Sequence, residues 1–128
     1  MSMTMFVSIA AGGAAGAIGR YLVMSQVAHW VGDKFPYSTL AVNVLGSLIL
    51  GVLIELFALS WSASQETRAL LTVGVLGAFT TFSTFSMDTV LLIERGQTTA
   101  AALYIVASVV LSVGALFAGL SIVRALAA

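Results

Sequence analysis

Residues 74–86 read Gly74-Val-Leu-Gly-Ala-Phe-Thr-Thr-Phe-Ser-Thr-Phe-Ser86 and lie in the middle of a long apolar stretch. The two glycines and five hydroxyl side chains of this segment are weak helix formers, and the hydroxyls compete for backbone hydrogen bonds. We therefore predict that a helix breaks here. Unwound backbone at membrane depth occurs only where it is buried in protein or lines a wet cavity, so a break would allow carbonyls near Gly77 and Thr80 to hold a cation. An unbroken helix whose small residues pack against a partner fits the spacing equally well.

The chain as a whole divides into four apolar stretches, which we delimit at residues 4–30, 38–60, 67–93 and 98–123, and segment 74–86 lies inside the third. Each exceeds the ~20 residues that a helix needs to cross the hydrocarbon core of a bilayer. Short polar turns separate them, so neighbouring helices run antiparallel. The sequence thus predicts an all-α integral membrane protein, with a single four-helix transmembrane domain over residues 1–128 and a break in the third helix. A signal peptide is disfavoured, because the first stretch lacks a basic start and exceeds an apolar core of ~7–15 residues.

The composition limits the class of protein and its partners. Hydrophobic residues make up 60% of the chain and charged residues only 8%, against ~25% charged residues in soluble domains. The net charge is zero without a basic block, so we expect the lipid bilayer and not nucleic acid as a partner. The chain has no cysteine, which excludes a disulfide framework, a thiolate metal site and a cysteine nucleophile. We expect a transport protein and not an enzyme.

The positive charges near the helix ends are almost evenly divided between the two sides of the membrane. One side carries Arg68 and Arg124, and the other carries Lys34 and Arg95, with Arg20 deeper but nearer the second side. Because this bias normally sets orientation, a near tie predicts dual topology and an antiparallel homodimer with a two-fold axis in the membrane plane. The alternative is a fixed topology imposed by another feature.

Two aromatic residues in the central segment are candidates for an ion pathway. Phe82 and Phe85 are three residues apart, so they share a face if the helix resumes there. Packing is the simpler interpretation of two aromatics, but alternation with hydroxyls is not typical of a lipid-facing stripe. The positive edge of a phenyl ring can contact an anion without the strong trap of a full charge.

Uncharged polar residues on two other spans could complete such a pathway. Asn43 lies early in the second span, and Tyr104, Ser108 and Ser112 recur every four residues in the fourth, which places them on one slowly drifting stripe. Polar residues within a membrane usually face the bundle interior. These donors suit a small, strongly hydrated anion whose water must be replaced. Interhelical hydrogen bonding without transport is the alternative.

The ionisable residues favour passive conduction. Arg20 is the only cation well inside a span, where an unpaired charge costs ~2.5 kcal/mol or more. We expect it in an anion-attracting vestibule, with a structural pair to Asp88 as the alternative. Glu55 and Asp88 lie near enough to their span ends to reach interface water. No acidic or histidine residue lies at mid-membrane, so a proton relay is disfavoured.

Taken together, these motifs resemble the Fluc (CrcB) family of fluoride channels. The resemblance rests on Gly74-Val-Leu-Gly-Ala-Phe-Thr-Thr-Phe-Ser-Thr-Phe-Ser86, on Pro36-Tyr-Ser-Thr-Leu-Ala-Val-Asn-Val-Leu-Gly46, on Gly16-Ala-Ile-Gly-Arg20, on Glu94-Arg-Gly96 and on the stripe in the fourth span. It therefore covers all four spans. The chain departs from the family pattern at three positions, where Ala78 and Ser38 replace common glycines and Asp88 replaces a more usual glutamate.

The resemblance implies an antiparallel dual-topology homodimer with two fluoride pores in the bacterial inner membrane, exporting cytoplasmic fluoride down its gradient. By this resemblance the fluoride pathway comprises Asn43, Phe82, Phe85, Tyr104, Ser108 and Ser112, with Arg20 in a vestibule. The backbone carbonyls of Gly77 and Thr80 would hold a structural sodium ion on the two-fold axis.

Two rival classes remain open at this point. A small dual-topology multidrug exporter also has four spans, but it needs a membrane-embedded carboxylate in its first helix, where this chain has only Arg20. A structural membrane subunit without transport of its own is the other candidate. The polar stripe in the fourth span disfavours it.

Overall fold

The computed structural model describes residues 2–128, which form four helical spans long and apolar enough to cross a membrane. Helix α1 covers Met3–Val31 and α2 covers Tyr37–Leu59. The third span, Gln65–Glu94, consists of several elements, and the fourth is a single helix. The prediction of an all-α membrane protein with four spans is confirmed.

The third span contains four helical elements in succession. These are α3 (Gln65–Arg68), a π-helix (Ala69–Leu76), α4 (Gly77–Phe79) and α5 (Phe82–Glu94), and the fourth span that follows is α6 (Thr98–Ala127). In a π-helix each amide bonds the carbonyl five residues earlier, so the helix is wider than an α-helix. This pattern extends to the residue after the π-helix, because the amide of Gly77 bonds the carbonyl of Thr72. Such segments are rare and often lie at functional sites. The sequence did not predict this one.

Local capping residues fix where several helices begin and end. The Ser2 hydroxyl accepts from the amide of Met5 at 3.1 Å and starts α1. Ser64 caps α3 in the same way. Gly32 and Gly96 have φ angles of 78° and 79°, a left-handed conformation that glycine adopts at little cost, and they follow α1 and α5 respectively.

The predicted break in the third span is observed at Thr80 and Thr81. Their φ and ψ angles are −85° and 157° for Thr80 and −150° and 116° for Thr81, both extended. Thr81 also restarts the helix, because its hydroxyl accepts from the amide of Thr84 at 3.1 Å. The hydroxyl residues of the segment thus both end one helix and cap the next.

Glycines bring the helices together in two tightly packed pairs. In α1, Gly12 and Gly16 contact the π-helix so closely that a Cβ at either position would collide with its backbone, and Gly74 contacts α1 in return. Gly51 of α2 and Gly119 of α6 form an equivalent contact. Because lipid provides no hydrophobic drive between helices, close backbone approach is a main source of their packing energy.

These pairings leave a gap on one side of the bundle. The α1 helix packs on the π-helix and on α2, while α2 packs on α6. Within residues 2–128, no Cα atom of the π-helix lies within 8 Å of a Cα atom of α6. A groove therefore runs between them, with α2 as its floor.

Charged residues cluster at one end of α2. The Nε of Arg124 donates to Oε2 of Glu55 at 2.5 Å, and the guanidinium of Arg68 lies 4.9 Å from the ring centroid of Phe57. Arg68 and Arg124 therefore share one end of the bundle, as the sequence predicted. The expectation that Glu55 reaches interface water was wrong, since its side chain is buried against α6, where Arg124 neutralises it.

Candidate ion pathway

The groove between the π-helix and α6 has a volume of about 380 Å³ and contains no charged lining residue among those described. It is bordered by α2, the third span and α6. Seven of the nine residues that the sequence singled out line it, namely Asn43, Gly77, Thr80, Phe82, Phe85, Ser108 and Ser112. Arg20 and Tyr104 are not among its lining residues. The groove is the natural candidate for an ion pathway.

Asn43 holds the broken backbone of the third span from α2. Its Oδ1 accepts from the amide of Thr81 at 2.7 Å, and its Nδ2 donates to the carbonyl of Thr81 at 3.1 Å. One amide side chain thus satisfies both backbone groups of a residue that has left the helix. This two-bond contact replaces the hydrogen bonds that unwinding removes.

The break changes the bonding of the carbonyls just before it. In a continuous α-helix the amide of Thr81 would donate to the carbonyl of Gly77, but here it donates to Asn43. The carbonyl of Leu76 accepts both the amide and the hydroxyl of Thr80, at 3.0 and 2.9 Å. The carbonyl of Gly77 is therefore left without its helical partner, beside the groove.

Aromatic rings form a continuous row from the groove into the protein. The ring centroids of Phe82 and Phe85 are 5.3 Å apart, and that of Phe85 lies 5.2 Å from the ring of Tyr104. Phe35 adds an edge-on contact with Tyr104 at 5.6 Å. The two phenylalanines share a face, as their spacing predicted, and Phe82 is 77% exposed in the single chain.

The polar stripe of α6 divides into two environments. Tyr104 is fully buried, and its hydroxyl donates to Oδ2 of Asp88 at 3.0 Å. The hydroxyl of Thr39 donates to the same oxygen at 2.7 Å. Ser108 and Ser112 instead line the groove, and the buried Oγ of Ser108 has no hydrogen-bond partner within residues 2–128.

Sequence reasoning did not find the contribution of Thr39. Thr39 lies four residues before Asn43, so both project from one face of α2. This spacing could have indicated a shared polar surface. The partner of Thr39 could not be found this way, because Asp88 is 49 residues distant in sequence.

Arg20 does not pair with Asp88, the partner considered from the sequence. Its Nε donates to the carbonyl of Ala78 at 2.9 Å, while Asp88 accepts from Thr39 and Tyr104. The physical reason is the packing of α1, which lies against the π-helix and α4, whereas among the described residues its Cα atoms stay more than 8 Å from those of α5. Arg20 thus reaches the last turn before the break.

Comparison with known proteins agrees with the resemblance found in the sequence. The family model described as "CrcB-like protein, Camphor Resistance (CrcB)" matches residues 7–120. A protein of Nitrobacter winogradskyi named "Fluoride-specific ion channel FluC" is 54% identical over 124 residues, which cover 97% of this chain and 98% of that protein. A protein of the same name from Rhodospirillum centenum is 53% identical, and the match covers 95% of this chain and 97% of that protein. Another from Agrobacterium fabrum is 51% identical, and the match covers 91% of this chain and 93% of that protein.

These matches span all four helices and the whole groove. The family consists of ion channels, which are transporters and not enzymes. The expected resemblance is confirmed: the chain belongs to the CrcB (Fluc) family of fluoride ion channels.

Proposed function

We propose that this chain is a fluoride-selective channel that exports toxic cytoplasmic fluoride by passive conduction across the bacterial inner membrane, as an antiparallel dual-topology homodimer. The observation that carries the proposal is the groove of about 380 Å³ at the break of the third span, lined by hydroxyls, an amide and aromatic rings without a charge. The names of the relatives support fluoride as the ion.

The uncharged lining suits conduction of a strongly hydrated anion. The Oγ of Ser108 is buried and free to donate, and Ser112 lies one helical turn further along the same groove. The ring edges of Phe82 and Phe85 carry partial positive charge. Such groups replace the water around fluoride while binding it weakly enough for release, because conduction requires sites that an ion can leave.

A second copy of the chain is proposed because one copy leaves the groove open. The π-helix and α6 form its two sides, with their Cα atoms more than 8 Å apart throughout the described part of the chain. Val109 and Val113 are among its apolar lining residues. An antiparallel copy related by a two-fold axis in the membrane plane would cover these surfaces. Two equivalent pathways would result, one for each broken helix.

A sodium ion on that axis is the cofactor that we propose. No cluster of three or more His, Cys, Asp or Glu side chains lies within residues 2–128, so a cation site here would depend on backbone oxygens. The carbonyl of Gly77 has lost its helical partner, and Thr80 is extended beside it. Two such carbonyls from each copy would provide four hard oxygen ligands, and the ion would supply a fixed positive charge that joins the copies.

Ion efflux from liposomes tests the channel proposal. Purified protein is reconstituted into vesicles loaded with fluoride or chloride, and release is followed with ion-selective electrodes. We expect fast fluoride release with negligible chloride release. Absence of fluoride release from verified, folded dimer would contradict the proposal and favour a structural subunit, whereas efflux of a lipophilic cation coupled to protons would favour an exporter.

Cysteine labelling tests the dual topology. The chain has no cysteine of its own, so Ser62→Cys in the turn after α2 gives a single thiol, and Gln97→Cys provides a matched thiol at the opposite end. We expect each variant to be labelled by an impermeant maleimide from both faces of the membrane. Labelling of each variant from one face only would contradict dual topology without affecting the efflux result.

A further inference from the structure

We infer that Arg20 is a positioning residue, whose hydrogen bond to the carbonyl of Ala78 holds the broken backbone of the third span in the conformation that the ion pathway needs. This inference rests on the proposed function. From the sequence, the charge of Arg20 was expected to attract anions in a vestibule. The inference adds that its Nε–H group holds the backbone of the third span by a hydrogen bond.

The packing of α1 leads directly to this contact. Gly16 touches the backbone of the π-helix at Val75, and Gly19 faces the ring of Phe79 in α4. Arg20 follows at the next position, and its Nε lies 2.9 Å from the carbonyl oxygen of Ala78. The side of α1 that packs on the third span therefore provides a hydrogen bond two residues before the first extended residue, Thr80.

The break is held from two sides by side chains of two different helices. Arg20 of α1 binds the carbonyl of Ala78, and Asn43 of α2 binds both backbone groups of Thr81. The extended residue Thr80 lies between these two anchors. The amide of Thr80 keeps its bond to Leu76, but the amide of Thr84, which would donate to the carbonyl of Thr80 in a continuous helix, donates to the hydroxyl of Thr81. The two anchors therefore determine where the carbonyl of Thr80 points.

The charge and the hydrogen bond of Arg20 can be separated. The bond to Ala78 uses Nε, while the terminal nitrogens of the guanidinium donate to no residue among 2–128. Citrulline keeps the Nε–H group and the planar shape of arginine but carries no charge. Methionine keeps a similar length and removes both features.

The test measures the break itself as well as transport. Arg20→Met and a variant with citrulline at position 20 are compared with the wild type by amide hydrogen exchange at Thr80 and Thr81, whose amides bond Leu76 and Asn43. Fluoride efflux is measured on the same samples. The control is Arg95→Met, which removes a cation from the exposed turn after α5.

We expect Arg20→Met to raise exchange at both amides at least ~tenfold, because hydrogen bonds to charged groups contribute on that scale. Fluoride efflux should fall in the same variant. Citrulline should restore part of the protection and of the efflux lost in Arg20→Met, because its Nε–H group forms the same bond without the charge. Arg95→Met should leave protection at the break unaltered.

Two results would overturn the inference: unchanged exchange in Arg20→Met, or efflux that citrulline fails to restore, since the charge alone would then explain the residue. A wild-type protein that releases no fluoride would contradict the proposed function instead. In that case the exchange data alone decide whether Arg20 positions the break.

Discussion

Replacing Asn43 with leucine removes both hydrogen bonds that attach Thr81 to α2 while keeping a side chain of similar size. The amide and carbonyl of Thr81 then have no partner in α2, where they now bond at 2.7 and 3.1 Å. We expect the free energy of unfolding to fall, and the backbone at the break to exchange more rapidly.

The size of the effect follows from the number of bonds and their environment. Interhelical hydrogen bonds within membranes are worth ~0.6 kcal/mol on average and up to ~1.7 kcal/mol. Two such bonds give an expected loss of ~1–3 kcal/mol. The larger penalties of about 1–3 kcal/mol for each orphaned group in soluble cores do not apply in full, because Thr81 lines the groove, where water can replace the lost partner.

The assay is unfolding in mixed micelles with increasing dodecyl sulfate, followed by circular dichroism at fixed protein concentration. Ser47→Ala is the matched control, since Ser47 lies one turn after Asn43 and lines the same groove. We expect the control to change the free energy of unfolding by less than ~0.5 kcal/mol. Equal midpoints for Asn43→Leu and Ser47→Ala would refute the claim that Asn43 holds the break.

Three further substitutions test other parts of the structure. Phe82→Ile should reduce fluoride efflux several-fold, because it removes the positive ring edge. The unfolding midpoint should change little, because isoleucine roughly keeps the volume of the side chain; a lower midpoint with normal efflux would indicate packing instead. Gly119→Ala should destabilise the protein by ~1–3 kcal/mol, because the added Cβ would meet the backbone of α2. The control Gly114→Ala should be neutral or stabilising, since a Cβ there has no atom within 4 Å. Equal unfolding midpoints for the two variants in the same titration would rule out the close helix contact. Arg124→Met leaves the carboxylate of Glu55 without its cation and should lower the free energy of unfolding by about 1 kcal/mol. Glu55→Gln should lower it less, because glutamine keeps a hydrogen bond to Arg124. A lower unfolding midpoint for Glu55→Gln than for Arg124→Met would argue against the ion pair.

Local features of the sequence were sufficient for the spans and the break. Hydropathy averaged over ~20 residues identifies each span. The density of glycine and hydroxyl residues predicted a break within segment 74–86, and the structure has it at Thr80 and Thr81. The spacing of Phe82 and Phe85 correctly placed both rings on one face. Hydropathy, helix propensity and residue spacing are properties of a single helix. They can therefore be read from a short stretch of sequence.

The partners of the ionisable residues could not be predicted in the same way. Arg20 and Ala78 are 58 residues apart, and Glu55 and Arg124 are 69 residues apart. Which groups meet depends on the rotation and axial shift of each helix, and these are set where glycines allow two backbones to touch. For this reason the sequence could only suggest Asp88 as a possible partner of Arg20. In the packed structure the carboxylate of Asp88 accepts hydrogen bonds from Thr39 and Tyr104 instead.

The sequence by itself determined that this chain has four helical spans long and apolar enough to cross a membrane, and it marked segment 74–86 as the place where the third could break, because hydropathy and helix propensity act over one or two turns. Only the tertiary structure decided that the π-helix and α6 stay apart to form an uncharged groove, and that Arg20 binds Ala78 just before the break while Asn43 binds Thr81 within it. Those features arise from contacts between helices distant in sequence, and glycine packing selects them from many arrangements with the same hydropathy.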